Sequence, residues 1–71
     1  MRKNAILKRK LRKNIKKARK MADLSQEELA FKIKVSRAYI GYIEQGRNTP
    51  SLETLGKIAK ALNIKISKLL N

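Results

Sequence analysis

SQEELAFKIKVSRAYIGYIE, residues Ser25 to Glu44, reads as two short helices joined by a tight turn. The Ser25 hydroxyl is placed to cap the first helix while Glu28, three residues on, reaches back to the cap, the reciprocal arrangement of a capping box. Leu29, Ala30 and Ile33 then recur at spacings of three and four, the period of a helix that buries one face. Lys34-Val35 makes the turn, Ser36 supplies a second cap, and Ile40 and Ile43 face inward from the second helix.

Working outward, the same spacing predicts three more helices. Helix 1 starts between Ile6 and Lys10, where like charges crowd the chain, and runs to about Met21. Ile6, Leu7, Leu11, Ile15 and Ala18 fall on one stripe, of which Leu11, Ile15 and Ala18 are expected to be buried. Gln45 to Pro50 is a polar loop whose Gly46 suits a helix C-terminus. Helix 4 follows from about Ser51, with Glu53 near its positive end and Leu52, Leu55, Ile58, Ala59 and Leu62 as its buried stripe. Asn63 ends it, and a short helix 5 spans roughly Ile66 to Leu70. No stretch alternates with period 2 for long, so the expected class is all-α.

Composition narrows the function. Seventy-one residues, 42% apolar and 4% aromatic, make one small domain with an aliphatic core. There is no Cys and no His, and the acids are Asp23, Glu27, Glu28, Glu44 and Glu53. Acid–base, nucleophilic and metal-assisted chemistries lack their usual parts, so no enzyme, metal, cofactor or small-molecule ligand is expected. No apolar run is long enough to span a membrane.

The formal charge is +14. Eleven of the nineteen Lys and Arg lie in the first twenty residues with no acid among them, while residues 21 to 71 hold eight against five acids, or +3. Such a basic block is a common nucleic-acid-binding tail. Its rival readings are a solvated face and a membrane-surface helix, and the latter lacks aromatic anchors.

With these elements in place, residues 11 to 70 resemble the phage-repressor and Cro (Xre-type) helix-turn-helix family. Ala30 matches its small residue at the crossing of helices 2 and 3. Leu29, Ile33, Val35, Ile40 and Ile43 match its buried positions, Gln26 its glutamine at the start of helix 2, and SLETLGKIAKALNI (51–64) its helix 4. The resemblance implies a compact five-helix lambda-repressor-like DNA-binding domain over residues 10–71, preceded by a basic N-terminal arm, 1–9, that either stands apart or extends helix 1 and adds sequence-independent affinity. Three positions depart from the pattern. Lys34 and Asp23 stand where glycine is usual, and helix 5 opens on cations that oppose its dipole.

The resemblance further implies a cytoplasmic, nucleoid-associated transcriptional regulator of repressor or controller type. It would be a homodimer on double-stranded DNA, reading a palindrome through helix 3 in the major groove. Ser36, Arg37, Ala38, Gly41 and Tyr42 form its expected outward set. Arg37 is the first choice for guanine, against a phosphate contact or a solvated side chain. Gly41 invites close backbone approach, and Tyr39, at the edge, is divided between DNA contact and packing. Gln26, Gln45, Arg47 and Asn48 are the expected phosphate contacts. Arg19 and Glu44 look like the family's ion pair between helices 1 and 3. Arg37-Ala38-Tyr39-Ile40-Gly41 resembles the recognition helix of restriction-modification controllers. Ile64, Ile66, Leu69 and Leu70 are the expected dimer surface, or else core. The alternatives are a protein-interaction module of the same fold, such as an antitoxin or bridging coactivator, and a non-specific nucleic-acid binder.

Overall fold

In the computed structural model, which describes residues 3–71 with side chains from residue 8 onward, five helices follow one another. They are α1 (Lys3–Met21), α2 (Gln26–Ile33), α3 (Arg37–Glu44), α4 (Leu52–Ala61) and α5 (Ile66–Leu70). No strand occurs among the described residues. The expected places of Ile6 and Leu7 on the α1 stripe lie outside the described side chains.

The helix ends repeat one device. Ser25, Ser36 and Ser51 each take extended backbone, and each hydroxyl accepts the amide N–H three residues on. At Ser25 the Glu28 carboxylate also accepts the Ser25 N–H, at 2.8 Å, completing the capping box. At the other ends Asp23, Lys34, Gly46 and Asn63 take left-handed backbone. The next amide, of Leu24, Val35, Arg47 and Ile64 respectively, donates five residues back to the last turn. This is the Schellman pattern, and three of the four following residues are apolar and half-buried, as the motif favours. Chain reversals are thus encoded locally, in the residues next to each helix.

The core is aliphatic throughout: Ile15, Leu29, Ala30, Ile33, Ile40, Ile43, Leu55, Ile58, Ala59, Leu62 and Leu69. Helix α2 packs on α3 and α4, α1 on α3 and α5, and α4 on α5. No side-chain cap holds the start of α5 at Lys65. Its hold comes from Leu69, fully buried, and from Asn14 of α1, whose Nδ2 donates to the Leu69 carbonyl at 3.0 Å.

Three expectations need correction. Helix α1 begins at Lys3, before the predicted start. Like-charge neighbours cost only a few tenths of a kcal/mol per pair, and no glycine or proline interrupts a run of strong helix formers. Leu52 is 70% exposed, not buried. It opens α4, and helical side chains lean toward the N-terminus, so its own leans off the end of the helix. Leu69 belongs to the core and is no surface, while Ile64 and Ile66 are half-buried against that core.

Lys34 has φ 61° and ψ 46°, the left-handed conformation expected at a position where glycine is usual. That geometry costs a residue with a β-carbon about 1–2 kcal/mol, of which glycine's freer unfolded chain returns about 0.4–1. Lys34→Gly should therefore raise Tm by a few degrees; an unchanged or lower thermal midpoint would contradict the strain.

Candidate nucleic-acid interface

Helix α3 is seated by Ile40 and Ile43, both fully buried, and started by the Ser36 cap. With those side chains inward, Ser36, Arg37, Ala38 and Tyr42 are exposed. Arg37 is the first residue of α3 and has no hydrogen bond or ion pair among the described residues. The Ser36 hydroxyl oxygen accepts from Tyr39 N–H at 3.1 Å, which leaves its proton to donate outward. Tyr39 is half-buried and packs against the core.

Gly41, expected to face outward, is buried. Gln26 from α2 and Gln45 one turn further along α3 lie over it. A β-carbon added there would meet their amide atoms at 3.9 and 4.0 Å, ordinary contact distances. The protein itself leaves room for alanine, so the fold does not demand glycine at this position.

Below the α2–α3 edge lies a buried polar cluster. Arg19 is 7% exposed and grips Glu44 with two bonds, Nε to Oε2 at 2.6 Å and Nη2 to Oε1 at 2.9 Å. A third bond, Nη1 to the Leu24 carbonyl at 2.7 Å, ties the pair to the chain reversal after α1. Gln26 Nε2 donates to the same carboxylate at 3.0 Å. Burial pushes the Glu44 carboxyl upward, but the hydrogen bonds from Arg19 and Gln26 and the charges of Arg19 and Lys16 outweigh it. The result is a carboxyl below the usual range. Gln26 is therefore half-buried and engaged, with one amide hydrogen left for an outside acceptor.

The loop after α3 is organised by the Tyr42 carbonyl, which accepts from the amides of Arg47 at 2.8 Å and Asn48 at 3.2 Å. The Arg47 guanidinium carbon lies 5.3 Å from the centroid of the Tyr42 ring, within cation–π range. Gln45, Arg47 and Asn48 are all exposed, on the side where α3 ends.

Two residues escaped the reading of the sequence. Arg12 donates from Nη1 to the Gln45 carbonyl at 2.9 Å, joining α1 to the α3–α4 loop. It was hidden among many cations, although its spacing of seven from Arg19 puts both on the α3-facing side of α1. Phe31 is 83% exposed, beside Leu24, Glu27 and Glu28. Its position off the Leu29–Ala30–Ile33 stripe is the signal that could have found it.

This architecture matches the family model described as helix-turn-helix over residues 15–69. The chain belongs to the helix-turn-helix family. Among curated proteins, the domain is 42% identical over 60 residues to the control protein C.SmaI of Serratia marcescens, covering 84% of this chain and 71% of that protein. It is 41% identical to an uncharacterised HTH-type transcriptional regulator of Archaeoglobus fulgidus, covering 79% of each. An immunity repressor of Bacillus phage phi105 is 47% identical over 53 residues; the match takes in 75% of this chain but only 37% of the repressor. Among solved structures, the restriction-modification controller C.AhdI of Aeromonas hydrophila superposes with a TM-score of 0.81 at 37% identity, covering 84% of this chain and 91% of that one. The domain is thus of the transcriptional-regulator class and not an enzyme.

Proposed function

We propose that this helix-turn-helix domain is a sequence-specific, double-stranded-DNA-binding transcriptional regulator of the repressor or controller type. Helix α3 lies in the major groove, with Arg37 on a guanine and Ala38 and Tyr42 beside it. Gln26, Ser36, Gln45, Arg47 and Asn48 bond the flanking phosphates. The observation that carries this reading is Arg37, a guanidinium at the exposed start of α3 with no hydrogen bond or ion pair among the described residues. Tyr39, half-buried against the core, serves the site by packing.

The working unit is a homodimer on a palindrome, since one small domain reads too few bases to select a site. A groove between α1 and α5, lined by Ala18, Met21 and Ile64 and edged by Lys17 and Lys68, supports self-association. Half-sites should then lie about 10 base pairs, or ~34 Å, apart on one face of the duplex. Selection of bound duplexes from a random pool tests the whole reading. It should return an inverted repeat with that spacing; a single half-site would refute the dimer, and no enrichment would leave a charge-only binder.

One observation favours a second, protein-binding role. Phe31 is exposed in a patch that also holds Leu24, Glu27, Glu28, Lys32 and Lys34, an apolar ring amid charges of both signs. A partner held there would be lost on Phe31→Ser while duplex affinity stayed constant.

A further inference from the structure

We propose that Lys8 and Arg12 of α1 form, with the α3–α4 loop, a cleft for a DNA backbone phosphate outside the bihelical motif, an inference that rests on the DNA-binding reading. Lys8 and Arg12 converge there with Gly46, Asn48, Thr49 and Pro50. The Arg12 guanidinium lies against the Gly46 backbone where a β-carbon would stand. Such an atom would be 2.8 Å from Nη1 and 3.0 Å from Cδ, so any side chain at this position would displace the arginine. Gly46 also has φ 79°, a second reason for glycine there.

The cleft holds charge without a counter-ion. Among the described residues the ion pairs are Arg19–Glu44 and Lys57–Glu53, and neither involves Lys8 or Arg12. Of the five guanidinium N–H groups of Arg12, the Gln45 carbonyl takes one, and the others are available to a ligand. The cleft adjoins Gln45, Arg47 and Asn48, so a duplex against α3 that reaches those side chains brings its backbone to Arg12. Lys8 and Arg12, four residues apart on one face of α1, offer a phosphate two cationic side chains.

Arg12→Met keeps the aliphatic stem and removes the charge; Lys8→Gln neutralises an exposed residue with no side-chain bond among the described residues. Affinity for the selected duplex and for random duplex would be measured across salt. Each variant should flatten the slope of log K against log[salt] by about 0.9, a change of about 3.5-fold in affinity between 50 and 200 mM, equally for both duplexes. Unchanged slopes in both variants, with wild type still preferring its selected site, would overturn the cleft and leave the main reading standing. A wild type that binds no duplex would overturn both. If Arg12→Met fails to fold, Lys8→Gln decides alone.

Discussion

Glu44→Ala should leave little folded protein at 25 °C. The substitution strands the Arg19 guanidinium, 7% exposed, with two of its bonds lost and no other acid in reach. Breaking a buried pair by removing one partner costs about 3–5 kcal/mol, and a domain of this size has a core worth about the same. Circular-dichroism melting at pH 7 checks it: a midpoint within about 2 °C of wild type would refute the role given to the pair. Glu44→Gln should be milder, because an amide still accepts one bond from Arg19.

The same carboxylate sets an acid limit. Its folded-state value lies below the unfolded one of about 4.3, so the unfolded chain takes up the proton first as pH falls. The stabilisation is complete above about pH 4.3 and is lost as pH drops through the folded value. Glu28, held low by the Ser25 backbone N–H, adds stability with the same sign. Below pH 4.3 wild type should therefore lose stability steeply, while Glu44→Gln, already weaker, loses less over the same interval. Parallel curves for the two proteins would show that Glu44 is not the titrating group.

Arg37→Ala should abolish most sequence discrimination without touching the fold. A two-bond arginine–guanine contact discriminates by about 1–3 kcal/mol, which is about 5- to 150-fold. Preference for the selected duplex over random sequence should fall by that factor. Affinity for random duplex should change little, and Tm should stay within about 1 °C because the exposed side chain has no partner among the described residues. A small, equal loss for both duplexes would mean Arg37 meets a phosphate, and the assignment of base reading to this residue would fail.

The legible parts of this protein were those written within one turn of sequence. The serine caps and the apolar spacing on α2 and α3 are short-range rules, and each appears in the structure where the residues predict it. The left-handed turns at Asp23 and Lys34, by contrast, were marked only by resemblance to a family that has glycine there. The pair Arg19–Glu44 was reached only through resemblance to a family, because its members are twenty-five residues apart. Leu52 fits its stripe by spacing yet sits beyond the edge of the body, where period alone says nothing. Gly41 shows the same limit: α3 turns it outward, but the side chain that helps cover it comes from α2.

By itself, then, the sequence determined five aliphatic-faced helices, their caps and reversals, and a basic charge concentrated upstream of an only mildly charged bihelical core. These follow from backbone propensity, period and composition, which act locally. The tertiary structure alone decided what each arginine meets. Arg19 is consumed by Glu44, Arg47 is drawn over Tyr42, Arg12 is clasped to the loop after α3, and Arg37 is left unengaged. All four carry the same charge, and only the neighbours that packing brings separate the buried Arg19 from arginines that keep N–H groups free for a ligand.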